Sequence, residues 1–130
     1  MTDQELVQKA KEAMAYAYVP YSHFKVGAAL LAKDGTVFQG CNIENASYGA
    51  TNCAERTAIF KAVSEGYREF EAIAIVSGSG DYTPPCGICR QVLLEFLPEG
   101  RVILENEKEG CKVFSVQELL PCGFRGEDIK

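Results

Sequence analysis

No apolar run in this 130-residue chain approaches the roughly 18 consecutive residues a membrane-crossing helix needs, so no transmembrane helix is expected. The first residues, Met1-Thr2-Asp3-Gln4-Glu5, lack both the basic and the apolar part of a secretory leader, and the expected compartment is the cytoplasm. Positive charge is in deficit. Lys and Arg number 13 against 18 Asp and Glu, giving a net charge of -5 and a sequence pI of about 4.9. A polynucleotide partner is thereby disfavoured, because phosphate backbones are usually met by a basic face. A small neutral ligand is not excluded. There is no internal repeat, linker or low-complexity segment, so residues 1–130 are expected to form one domain. Histidine is nearly absent too: His23 is the only one, and it reads as an ordinary loop residue.

What is there is a folding chain. Hydrophobic residues make up 47% of it, enough for a substantial core. Thr2-x-x-Glu5 reads as a capping box, followed by Leu6, Ala10, Ala13, Met14 and Ala17 at helical spacing and a stop before Pro20. Phe24 to Lys33 and Thr36 to Cys41 read as a hairpin about Asp34-Gly35. A loop from Asn42 to Thr51 leads to a helix beginning at Cys53, with Asn52 as its N-cap and Gly66 at its end. Phe70 to Ser77 is a nearly all-apolar stretch, as in a strand covered on both faces. A helix from about Cys86 to Leu97 follows, then strands Arg101 to Glu105 and Lys112 to Val116, then a short capped helix from Ser115 to Leu120. This order implies an α/β protein with a mixed sheet of about five strands and helices on both faces.

Six cysteines in a cytoplasmic chain point to metal or reactive thiols more than to disulfides. Three have meaningful spacing. Asn52-Cys53-Ala54-Glu55-Arg56 is answered by Pro85-Cys86-Gly87-Ile88-Cys89-Arg90. A catalytic zinc keeps three protein ligands and leaves a fourth position open, and Cys53, Cys86 and Cys89 would be those three. Cys86 and Cys89 fall on one face at a helix start. Cys53 would come from a second helix start, so two helix N-termini would favour the thiolates. Glu55 would stand close enough to handle protons without binding the metal. Arg56 could offset the negative charge of a three-thiolate zinc through hydrogen bonds to sulfur.

The pattern Cys-x-Glu followed by Pro-Cys-x-x-Cys resembles the zinc-dependent nucleobase deaminases. With Phe24-Lys25-Val26-Gly27-Ala28-Ala29-Leu30 and Cys41-Asn42-Ile43-Glu44-Asn45-Ala46-Ser47-Tyr48 upstream, the chain looks like a cytidine deaminase of the small homotetrameric, all-cysteine type, from about Pro20 to Phe124. The resemblance implies a three-layer α/β/α sandwich, one zinc per chain, and hydrolytic deamination of cytidine and 2'-deoxycytidine to uridine and deoxyuridine in pyrimidine salvage. It implies that Glu55 takes the water's proton, passes it to ring N3 and later protonates the leaving amine. It implies that Phe24 packs on the base, that Asn42 and Glu44 hold the ribose hydroxyls and that the Ala54 backbone meets the pyrimidine. Arg56 would take the supporting role at the sulfurs, and Tyr48 and Phe124 would complete a pocket across subunits. No membrane or nucleic-acid partner is expected.

Plainer readings stand beside these. Cys86-Gly87-Ile88-Cys89 alone could be half a structural zinc ribbon or a redox pair, but a ribbon needs a second Cys-x-x-Cys and there is none. Glu55 stands three residues after Asn52, where a carboxylate can close a capping box. Phe24 could be core, Asn42 and Glu44 turn residues, and Phe124 a side chain packed on its own subunit. Cys41, Cys111 and Cys122 read as small hydrophobes. Two other functions compete: a related deaminase of another cytosine-bearing substrate, such as blasticidin, and a non-catalytic zinc-stabilised binding domain.

Overall fold

The structure, a computed structural model, describes residues 1–129. Helix α1 (Asp3–Met14) opens with the capping box expected at Thr2 and Glu5: Thr2 Oγ1 accepts from the Glu5 amide at 3.1 Å, and Glu5 Oε1 accepts from the Thr2 amide at 3.0 Å. The helix ends earlier than its apolar spacing predicts. Ala17 lies beyond it, because the next segment pairs like a strand. The Tyr18 amide donates to the Asn42 carbonyl at 3.0 Å, and the Glu44 amide donates to the Tyr18 carbonyl at 2.8 Å.

Strands β1 (Val26–Ala32) and β2 (Val37–Cys41) form the hairpin, with Gly35 at φ 95° in its turn. A loop carrying a 3-10 turn at Tyr48–Ala50 leads to α2 (Ala54–Ser64), and Gly66 at φ 95° takes the chain out of that helix toward β3 (Phe70–Ser77). Then come α3 (Gly87–Phe96), β4 (Arg101–Asn106), β5 (Gly110–Ser115) and α4 (Val116–Leu119). Ser115 and Glu118 cap α4 reciprocally.

The sheet has five strands in the order β2-β1-β3-β4-β5. Only β3 and β4 run parallel, and α3 makes the crossover that parallel neighbours require. Alternation along the central strands divides the interior. Ala28, Leu30, Ile73, Ile75, Val102 and Leu104 face α2 and α3, while Ala29, Leu31, Ala72, Ala74 and Ile103 face Leu6, Val7 and Ala10 of α1. This is the three-layer α/β/α arrangement, with α1 alone on one face. The hydrophobic burial on both faces explains the continuous apolar runs of β1 and β3.

Two glycines set how closely the layers approach. A Cβ on Gly27 would lie 2.1 Å from the Ala10 carbonyl oxygen of α1. A Cβ on Gly40 would lie 2.4 Å from the Ala54 carbonyl oxygen and 2.5 Å from the Ala58 amide nitrogen of α2. The second contact seats the first turn of α2 directly on β2.

Candidate active site

Cys53 and Cys86 are the N-cap residues of α2 and α3, and both are extended, at φ -75° ψ 158° and φ -67° ψ 170°. Neither sulfur caps its own helix, so both are free to point elsewhere. They meet: Cys53 Sγ and Cys86 Sγ are 3.6 Å apart although 33 residues separate them. Cys89, buried one turn into α3, completes a cluster whose ligand atoms all lie within 4.8 Å of one another. Zinc–sulfur bonds of about 2.3 Å in a tetrahedron place sulfurs about 3.8 Å apart, so donor type and spacing both fit zinc.

The helix start differs from expectation in one respect. Cys53 rather than Asn52 is the N-cap. Asn52 is held outside the helix by paired backbone hydrogen bonds with Ile43, 2.9 Å each, and its side-chain amide donates to Thr57 Oγ1 at 3.1 Å. Glu55 is consequently the second residue of α2, and the capping box that would have explained it is not formed. Its side chain is instead buried, at 4% exposure. Burial, with the negative charge of Cys53 beside it, pushes the Glu55 carboxyl up to about 7.

The thiols are shared unequally. Cys53 is pulled down to about 5, chiefly by the Cys89 S–H, with help from Arg56 and Cys86. The same hydrogen bond and burial push Cys89 up. Arg56 Nη2 donates to Cys53 Sγ at 3.2 Å, and Arg56 Nε is buried without a hydrogen-bond partner, a spare donor within the cluster's surroundings. Cationic donors around sulfur are what an electron-rich thiolate site calls for.

The other candidates lie on the loops before β1 and after β2. Phe24 is outside β1 and 43% exposed, not part of the core. Asn42 braces it: Nδ2 donates to the Phe24 carbonyl at 2.8 Å, and Oδ1 accepts from the Val26 amide at 2.9 Å. Glu44 is likewise engaged. Its Oε1 accepts from the Tyr21 and Ser22 amides at 3.0 and 3.1 Å, and Oε2 accepts from Ser22 Oγ. The Ser22 hydroxyl is the main reason the Glu44 carboxyl is held below its ordinary value. Nothing in the sequence singles out Ser22, since its partner is 22 residues away. Tyr48 stacks edge-on against Tyr21, ring centroids 5.8 Å apart, and is 74% exposed. Ala54 is buried at the first position of α2. Phe124 is 58% exposed and lies outside the core.

The remaining cysteines divide. Cys41 is buried as a small hydrophobe should be. Cys111 is half-buried and accepts from Gln4 Nε2 at 3.2 Å. Cys122 departs from that reading: it is exposed and left-handed, at φ 56°. His23 is also left-handed, at φ 58°, and its amide donates to the Val19 carbonyl at 3.0 Å.

A three-thiol zinc site with a coordination position to spare and an uncoordinated buried carboxyl alongside is of the catalytic, hydrolytic class; structural zinc sites close with four protein ligands. Residues 1–105 match the family described as the cytidine and deoxycytidylate deaminase zinc-binding region. A cytidine deaminase of Halalkalibacterium halodurans is 55% identical over 130 residues, covering 99% of this chain and 98% of the relative. A blasticidin-S deaminase of Bacillus cereus is 33% identical, covering 94% and 91%. Among solved structures, cytidine deaminase from Burkholderia pseudomallei superposes with a TM-score of 0.91 at 53% identity, over 95% of this chain and all of that one. The chain belongs to the cytidine and deoxycytidylate deaminase family, and zinc is its metal.

Proposed function

We propose that the protein is a zinc-dependent cytidine deaminase, converting cytidine and 2'-deoxycytidine plus water into uridine or deoxyuridine plus ammonia, in cytoplasmic pyrimidine salvage. Residues 1–130 act as one domain, and four copies assemble with shared sites. The observation that carries the reading is Glu55, buried two residues beyond Cys53 and next to the thiol cluster.

Cys53, Cys86 and Cys89 hold the metal, and Arg56 steadies their charge. Zinc, when bound, supplies a Lewis acid that makes water a nucleophile near neutral pH. Glu55 accepts the proton that water loses on attacking C4 of the base and delivers it to N3; it then takes the proton of the new C4 hydroxyl and passes it to the departing amine, which leaves as ammonia. A single carboxyl can serve each of these transfers because it faces both the water and the ring.

Ribose recognition falls to Asn42 and Glu44. An ionised carboxylate offers about four lone-pair directions, and three are taken by Tyr21 and Ser22. Glu44 therefore arrives ionised, fixed in direction, and able to accept from a sugar hydroxyl. Asn42 keeps one N–H of its amide to donate. Phe24 offers its exposed ring to the base, the Ala54 backbone meets the pyrimidine edge, and Tyr48 and Phe124, both too exposed to serve their own core, complete a neighbour's pocket.

Loss of the ultraviolet absorbance of cytidine's 4-amino chromophore tests the assignment, with blasticidin S run in parallel because of the 33% identical relative. Cytidine should be consumed and Glu55→Gln should retain zinc while losing at least about 10²-fold in rate. A wild-type protein that turns over blasticidin S but not cytidine would shift the substrate. A Glu55→Gln protein within a few-fold of wild type would remove the proton shuttle from Glu55.

A further inference from the structure

The side chain that follows Cys89 points away from the sulfurs and ties two distant segments together. Arg90 Nε donates to the Pro85 carbonyl at 2.8 Å, and Arg90 Nη1 donates to the Leu119 carbonyl at 2.8 Å. Pro85 is buried and immediately precedes Cys86. Leu119 is the last residue of α4, where helix carbonyls lack intrahelical partners and a cation is favoured. The next residue, Gln91, donates from Nε2 to the Phe124 carbonyl at 2.7 Å. Between these anchors the chain lies flat on α3: a Cβ on Gly123 would meet Leu94 Cδ2 at 2.5 Å.

We propose that Arg90 is a positioning residue for the metal, its guanidinium fixing the Pro85 carbonyl, and with it Cys86, against the end of α4. The proposal rests on the reading of Cys86 as a zinc ligand. The argument is geometric. Cys86 is exposed and sits at an N-cap, outside the helical hydrogen-bond ladder at its own amide, so α3 alone does not fix the direction from which the chain enters. The planar guanidinium presents two N–H groups in a fixed fork. With one prong on Pro85 and the other on Leu119, rotation of the Pro85–Cys86 peptide would break a charge-assisted hydrogen bond. Arg90 thus does for Cys86 from behind what Arg56 does for Cys53 by direct contact. It also makes the C-terminal segment that presents Phe124 mechanically continuous with the metal loop.

The test is zinc release from the zinc-loaded, full-length protein into excess 4-(2-pyridylazo)resorcinol. Arg90→Met keeps the stem and removes both donors. Arg90→Lys keeps the charge but can reach one carbonyl at a time. Residues supporting metal ligands typically change metal affinity by about 10–100-fold, so Arg90→Met should release zinc about 10-fold faster or more, with Arg90→Lys between it and wild type. Leu94→Ala, which loosens the C-terminal segment on α3 without touching Pro85, should lower the melting temperature and leave release unchanged. Should Arg90→Met not fold, Arg90→Lys against Leu94→Ala carries the comparison. Release at the wild-type rate from the Arg90 variants, or equal acceleration by Leu94→Ala, overturns the proposal. A wild-type protein that binds no zinc overturns the reading beneath it instead.

Discussion

Adding one methyl group at Gly40 should damage both stability and chemistry, although Gly40 touches neither metal nor substrate. Its Cβ would sit 2.4 Å from the Ala54 carbonyl oxygen, 2.5 Å from the Ala58 amide nitrogen and 3.0 Å from the Ala58 Cβ. All three belong to the first turns of α2, and two are backbone atoms that no rotamer change can move aside. Ordinary contacts begin near 3.4 Å, so the helix start must retreat from β2 by close to 1 Å. Overpacking of this kind costs typically about 1–3 kcal/mol, and a backbone clash belongs at the upper end. For a chain of this size that is a fall in melting temperature of about 10 °C. The same retreat carries Glu55 and Cys53 with it. A misplacement of about 1 Å can cost about 10²-fold in rate, so kcat should fall far more than loss of folded protein explains. Gly40→Ala is assayed by thermal denaturation and by cytidine turnover of the folded fraction. A melting temperature within about 2 °C of wild type, with kcat within twofold, refutes the claim that this contact seats the site.

Further outcomes follow from the same geometry. Cys53→Ala, Cys86→Ala and Cys89→Ala should each lose most bound zinc by metal analysis, whereas Cys41→Ala should keep about one zinc per chain; full zinc in any of the first three removes that ligand. Arg56→Gln should lower kcat by about 10-fold or more with a smaller change in KM, because its donor faces Cys53 sulfur and not the substrate; unchanged kcat and zinc content would make it a passive residue. Co-refolded Glu55→Ala and Phe124→Ala chains should recover activity above the sum of the parents, since some intact zinc sites then receive a neighbour's intact Phe124. Verified mixed oligomers with only summed activity would confine Phe124 to its own chain.

Local chemistry was readable wherever a few adjacent residues decide the outcome. The Thr2–Glu5 capping box, the Asp34-Gly35 turn and the apolar run of β3 each form as residue type dictates. Cysteine spacing brought the metal cluster into view because Cys86 and Cys89 need only one helical turn to meet. What was hidden depends on partners far along the chain. Asn52 has the chemistry of an N-cap, yet its pairing with Ile43 leaves that place to Cys53. The apolar spacing of Ala17 extends the first helix on paper, and the Tyr18 bridge ends it. Phe24 reads as the start of a buried strand, but β1 begins two residues later. Glu55 gives no local sign of burial: a carboxylate in a first helical turn is ordinarily solvated, and its enclosure follows from the approach of α2 to β2 that Gly40 permits.

The distribution of the three thiols has a consequence for how the chain is held folded. Cys86 and Cys89 are close in sequence, whereas Cys53 lies 33 residues before Cys86 and meets it only where the starts of α2 and α3 converge in the fold. The native chain holds all three thiols in place at once, whereas in the unfolded chain bringing Cys53 to the other two costs loop-closure entropy, so the native state binds zinc more tightly. Mass action converts that difference into thermodynamic linkage: a ligand present at 100 times its dissociation constant and bound only by the native state adds about 2.7 kcal/mol. The metal would thus fasten the start of α2 to the start of α3. The denaturation midpoint becomes a function of free zinc concentration, and a chelator acts on this protein as a denaturant would.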